Sequence, residues 1–179
     1  MNTRQIVLLD PENLAGTGVL ADWSPISLVR QLTELNPIRA DDIVIVGGDR
    51  RNAFQLNDIA KRLGGTTVWG YGPDGAEVAL EKAFNAIPPT AWDNESAPVT
   101  RVVICSGDHY FVRTAEIAHG KGRSVLTISR WRGLSYKLAR VSDVCLRIAS
   151  APEDELAGLN TATERSLISR RRAGLGVGI

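Results

Sequence analysis

The chain has 179 residues, of which 44% are hydrophobic and 23% charged; that size and balance fit one folded domain around a single core and disfavour disordered, collagenous and membrane-embedded classes. No apolar run approaches membrane-spanning length, and the opening MNTRQIVLLDPEN has too short an apolar block for a secretory leader, which predicts a cytoplasmic protein with no membrane partner. The net charge of +1 hides an asymmetry: residues 1–100 hold 8 Lys/Arg against 13 Asp/Glu, and residues 101–179 hold 13 against 7, so the halves carry −5 and +6. An acidic metal pocket facing a basic surface that follows an anionic polymer would produce this split, and so would ordinary solvated helix faces.

In chain order, Gln5 to Asp10 (QIVLLD) is a continuous apolar run ending on an acid, read as the first strand, with Pro11, Glu12 and Asn13 as a turn after it. Ser24 followed by Pro25 is a capped helix start leading to Leu35. Asp42 to Gly48 is the second strand, Arg51 to Leu63 a helix closed by Gly64 and Gly65, and Thr66 to Tyr71 the third strand. Gly75 to Ile87 has helical spacing with Glu77 and Glu81 one turn apart, and the three prolines of Pro88 to Thr100 mark a loop. Arg101 to Cys105 is the fourth strand, followed by a helix from about His109 to His119. Ser124 to Ile128, Leu134 to Val141 and Asp143 to Ile148 then read as strand, short helix and sixth strand.

This alternation predicts right-handed crossovers and a three-layer α/β/α sandwich with a mostly parallel central sheet. Residues 1–150 are expected to form that domain, and residues 151–179 an appended helical and basic tail with Arg170, Arg171 and Arg172 before a glycine-rich end. The tail either tracks nucleic acid or docks on a second subunit, and the protein's candidate protein partners are a second copy or a regulatory protein. Cys105 and Cys145 fall inside strands without a CxxC motif or a neighbouring His, which predicts buried reduced thiols.

In a parallel sheet, ligands bind outside the carboxyl ends of the strands. Asp10 follows strand one, Asp108 follows strand four, and Glu77 opens a crossover helix, so all three are expected at one edge. Oxygen donors without His or Cys suit hard divalent cations, Mg²⁺ or Mn²⁺, and such an ion serves phosphodiester hydrolysis. Asp108 in Ser106-Gly107-Asp108 is equally well placed as a plain helix cap.

The run LLDPENL, the helix opening AEVAL, VVICSGDHYF with KGRSVLTIS, and LSYKLARVSDVCLRI, in that order, resemble the NYN domain, a family similar to PIN-domain nucleases; the likeness spans residues 5–148. The resemblance implies a metal-dependent endoribonuclease that uses Mg²⁺ or Mn²⁺ on RNA. Its acidic residues would be Asp10, Glu77 (where the family usually has Asp) and Asp108, which ligate the metal and carry catalysis, with Asn13 as a polar partner. Where the family commonly has a further acid, this chain has Tyr110; losing that carboxylate lowers metal affinity unless Glu12, Asp49 or Glu81 takes its place. Ser106, His109 and Tyr110 are candidate substrate contacts, as aromatic rings stack on splayed bases.

Arg130 to Lys137 (RWRGLSYK) interleaves aromatics and cations as a single-strand groove does, with Arg130, Arg132 and Lys137 as phosphate contacts. Equally, Trp131 and Tyr136 would pack under a loop. His119 beside Gly120 is explained by the helix dipole, and Asp143 is expected to be structural. Haloacid-dehalogenase-like, response-regulator and dinucleotide-binding readings each lack required residues. The main rival is a non-catalytic RNA-binding or protein-interaction module on the same fold.

Overall fold

The structure, a computed structural model, describes residues 3–16, 18, 20 and 24–148. The tail expected at 151–179 lies outside the described residues. Within them strands and helices alternate: β1 (Arg4–Leu9), α1 (Pro11–Ala15), α2 (Pro25–Leu35), β2 (Ile43–Asp49), α3 (Ala53–Arg62), β3 (Thr66–Gly70), α4 (Gly75–Asn85), α5 (Pro89–Trp92), β4 (Val99–Cys105), α6 (Val112–Gly120), β5 (Ser124–Arg130), α7 (Tyr136–Val141) and β6 (Val144–Ile148).

The six strands form one sheet in the order β3-β2-β1-β4-β5-β6, with every neighbouring pair parallel. Alternate side chains divide between two cores. Val7, Leu9, Val44, Val46, Val103 and Cys105 face Leu14 of α1, Leu28 and Leu32 of α2, and Leu56 and Ile59 of α3. Ile6, Leu8, Ile45, Val102 and Ile104 face Leu80 and Phe84 of α4, Ala115 and Ala118 of α6, and Leu138 of α7. With α1 to α3 on one face and α4, α6 and α7 on the other, the expected three-layer α/β/α sandwich is the observed fold. Burial on both faces explains why the central strands read as unbroken apolar runs.

Two local readings need correction. Pro11–Asn13 is not a turn but the first part of helix α1: Asp10 accepts the Asn13 amide as N-cap, Pro11 fills the first position where no amide is needed, and Gly16 closes the helix at φ 71°. The loop expected over Pro88 to Thr100 contains α5, seated by Trp92 against Phe84 edge to face at 5.4 Å, and it gives its last two residues to β4. The helices expected from Arg51 and His109 both begin with a 3₁₀ turn, at Arg50–Asn52 and His109–Phe111.

The sheet's order reverses between β1 and β4, because the chain leaves β1 towards β2 and β3 and later returns to lay β4 on its other side. The loops after those two strands diverge there and leave a crevice. The register pairs Leu9 with Cys105, and the Asp10 amide continues the ladder to the Cys105 carbonyl at 3.1 Å. Asp10 and the Ser106-Gly107-Asp108 turn are therefore adjacent at the switch point.

Candidate functional site: an acidic cleft at the sheet's carboxyl edge

A cleft of about 360 Å³ opens at this edge, its walls including Asp10, Glu12, Asn13, Asp49, Asp74, Glu77, Arg51 and Arg130. The glycines explain how the backbone comes so close. A Cβ on Gly107 would lie 1.9 Å from the Gly133 carbonyl oxygen, and one on Gly70 would lie 1.8 Å from the Gly75 carbonyl oxygen, so β4 and β3 pass directly against the loop before α7 and the start of α4.

Asp10 is 1% exposed. Its Oδ1 accepts the Asn13 amide at 3.0 Å, and its Oδ2 has a long contact of 3.4 Å from the Ser106 hydroxyl. Removal from water dominates, and the nearby charges of Glu77 and Glu12 add to it, so the Asp10 pKa rises from 3.8 to about 7 against the pull of those two hydrogen bonds. Glu77, half-buried in the first turn of α4, is also raised, first by burial and then by the charges of Asp108, Asp74 and Glu12. The electrostatic coupling of Asp10 to Glu77 and of Glu77 to Asp108 places the three sequence-predicted acids in one field.

Asn13 and Ser106 hold the two loops together. Asn13 Oδ1 accepts the Gly107 amide at 2.8 Å, and the Ser106 Oγ that donates to Asp10 accepts the Asp108 amide at 3.3 Å. Both are positioning residues between the acids. Asp108 Oδ1 accepts the Tyr110 amide at 2.8 Å and lies 3.0 Å from His109 Nδ1, so this acid caps the 3₁₀ turn at the cleft's side without lining its wall. Tyr110, where the family resemblance expects an acid, hydrogen-bonds Glu81 through its phenol. Its pKa is raised by desolvation and then by that bond and the charges of Glu81, Asp74 and Glu77.

Of the residues named as substitutes for the missing carboxylate, Glu12 and Asp49 line the cleft and Glu81 meets Tyr110. Glu12 Oε1 accepts the Asp49 amide at 2.8 Å and Asn52 Nδ2 at 2.6 Å, fastening α1 to the end of β2. Asp49 caps the following 3₁₀ turn and pairs with Arg51 at 3.1 Å, which lowers its pKa. Among the described residues, no group of three His, Cys, Asp or Glu side chains is close enough to grip a metal ion directly.

The basic flank lies beside β5. Arg130 reaches the cleft wall, its guanidinium seated against Gly16 and Gly133, while Arg132 (φ 62°) and Lys137 are exposed beyond it. Trp131 and Tyr136 do not pack under the loop: they are 50% and 76% exposed. Arg147 stands 5.0 Å over the Trp131 ring, and Arg140 stands 5.9 Å from that of Tyr136. His119, expected to rest on a helix dipole, pairs with Asp143 at 2.9 Å, and Asp143 also accepts the Val125 amide at 2.8 Å. Both sit at the opposite edge of the sheet and are structural.

No protein-family model and no curated protein matches the chain. A solved structure of a protein of unknown function from Vibrio parahaemolyticus RIMD 2210633 is similar to it, with 16% identity, a TM-score of 0.49, and coverage of 82% of this chain and 93% of that one.

Sequence reasoning missed Asp74 and Arg51 as cleft residues. Asp74 belongs to Gly72-Pro73-Asp74-Gly75, whose composition marks a turn, and it adopts φ 57° there. A turn directly after a parallel strand was the signal that could have found it. Arg51 had none, because its place depends on the 3₁₀ turn and on Asp49.

Proposed function

We propose that the chain is a metal-dependent endoribonuclease that hydrolyses RNA phosphodiester bonds at the cleft between β1 and β4. The observation that carries this reading is the buried Asp10, raised to about 7 first by its removal from water and then by the charges of Glu77 and Glu12, in a cleft that Asp49 and Asp74 also line and beside which Asp108 acts on Glu77. Acids packed at that density suit a divalent cation that offsets their repulsion. The resemblance to the NYN domain on the same three acids supports it further.

The donor set fits Mg²⁺ or Mn²⁺, since all the donors are oxygens and such ions keep several waters while taking one or two carboxylates directly. Asp10, Glu77 and Asp108 would hold the ion, partly through water. When bound, the ion supplies charge neutralisation at the phosphodiester and a more acidic water.

The chain's own groups do the rest. Asn13 and Ser106 fix Asp10 relative to Asp108, so that the two loops keep one spacing as substrate arrives. Arg130 places a guanidinium on the cleft wall, where it can pair with a phosphate through two parallel N–H bonds. His109, exposed and 3.0 Å from Asp108 through Nδ1, offers a substrate contact beside the acids. A cytoplasmic location goes with this reading: Cys105 and Cys145 are free thiols, and burial pushes Cys105 up to about 12.

A second reading has one observation in its favour: Tyr110 replaces an acid and is tied to Glu81, which leaves a weaker metal site and an RNA-binding module on the same fold. Cleavage of single-stranded RNA in Mn²⁺ by the wild type and by Asp108→Asn separates the two. The nuclease reading expects cleavage that the substitution removes with folding intact. Cleavage by neither protein, or equally by both, rejects the assigned role.

A further inference from the structure

Two exposed pairs of ring and cation stand on opposite sides of the acids. On the β3 side, Tyr71 follows directly on the end of β3, is 71% exposed, and carries Arg50 at 5.9 Å from its ring. On the β5 side, Trp131 follows directly on the end of β5, is half exposed, and carries Arg147 at 5.0 Å. Neither ring belongs to the two hydrophobic cores, so packing does not account for them. All strands are parallel, so both rings sit at the same carboxyl edge as Asp10 and Asp108. In the order β3-β2-β1-β4-β5, they are four strand spacings apart, about 19 Å, with β1 and β4 between them.

We infer that one unpaired RNA strand lies along this edge, stacking a base on Tyr71 and another on Trp131, with the acidic cleft under the phosphates between. Every base offers a π-face to such rings, and the arginine over each ring leaves a positive charge for the adjoining phosphate. The middle of the track is acidic and the ends are basic, so the strand is gripped at two points and presented at the centre, which makes the bond over the cleft an internal one. A duplex is excluded, because its bases are stacked on each other and cannot reach either ring. The inference rests on the reading of the cleft as an RNA-cleaving site, and it narrows the substrate to a single strand bound on both sides of the cut.

The test is the affinity of a labelled oligouridine of about 16 nucleotides, near the upper end of single-strand site sizes, measured by fluorescence anisotropy with EDTA present. Tyr71→Ala and Trp131→Ala are each expected to weaken binding by roughly 5- to 150-fold, Tyr71→Phe to keep it, and a matched duplex to bind more weakly than the strand. Both rings are exposed, so these variants fold. Unchanged affinity in either alanine variant, or a duplex bound as well as the strand, overturns the track. If the wild type cuts no RNA in Mn²⁺ while both ring losses appear, the nuclease reading fails and the track stands. If it cuts while the alanine variants bind and cut like the wild type, the track fails alone.

Discussion

Two buried aspartates at opposite edges of one sheet make an instructive pair. Asp42, 8% exposed at the amino edge, accepts the Gln5 amide and Gln5 Nε2, each at 2.9 Å, and the Arg39 amide at 2.8 Å. Asp10, 1% exposed at the carboxyl edge, accepts one amide at 3.0 Å and a hydroxyl at 3.4 Å, and faces other acids. A buried carboxylate whose lone pairs are filled is a joint that holds β1 to the turn before β2. One that is desolvated, under-bonded and repelled costs stability, and such groups concentrate where chemistry is done.

The comparison breaks most visibly under Asp42→Ala. Three donors lose a charged acceptor, and with about 1.5 kcal/mol or more for each such bond, a loss of roughly 3–5 kcal/mol is expected in urea unfolding, with RNA cleavage by the folded fraction unchanged. Asp10→Asn should do the reverse. The Asp10 pKa is raised on folding, so the folded state holds its proton over a window where the unfolded chain has released it. The stability this group confers is full below pH 4 and is lost as the pH climbs from about 4 to about 7. In metal-free buffer the wild type should thus lose up to roughly 4 kcal/mol more than Asp10→Asn between pH 4 and pH 8, while the variant's cleavage falls by about a hundredfold or more. Parallel pH profiles of the two would remove Asp10 from the account.

Smaller effects sharpen the picture. Gly107→Ala drives a methyl against the Gly133 carbonyl, and an overpacking cost of about 1–3 kcal/mol with displaced Asp108 should show as a lower Tm and weaker cleavage together. His119→Gln removes a ring contact with Asp143 at 2.9 Å whose side chains are about a third exposed, for which a change under about 1 kcal/mol is expected. A larger one would mean that the amino edge carries more than structure.

Much of this was legible in the sequence, for physical reasons. The central strands announce themselves because both faces are buried and their runs at residues 6–9, 43–46 and 102–105 are wholly apolar. That Asp10, Glu77 and Asp108 stand at one edge follows once the strands are parallel, since all carboxyl ends then share it, although Asp10 and Glu77 line the cleft and Asp108 does not. Helix α1 was hidden because Pro-Glu-Asn after an acid has the composition of a turn, although Asp, then Pro, then Glu is also a cap, a first-position proline and an acidic first turn. The filled and unfilled lone pairs of Asp42 and Asp10 were not legible, because the sequence places both as acids at strand ends and only tertiary contacts tell them apart. The same holds for Tyr71 and Trp131, whose exposure is decided by what the fold leaves uncovered.

The most direct measurement is a calorimetric titration of Mn²⁺ into the wild type and Asp10→Asn at pH 6, where the buried carboxyl still holds its proton. The account predicts that the wild type binds the ion and releases a proton to the buffer as Asp10 ionises, and that the variant loses both signals. A wild type that takes up no Mn²⁺, or a variant that binds with the same affinity and proton release, would contradict it.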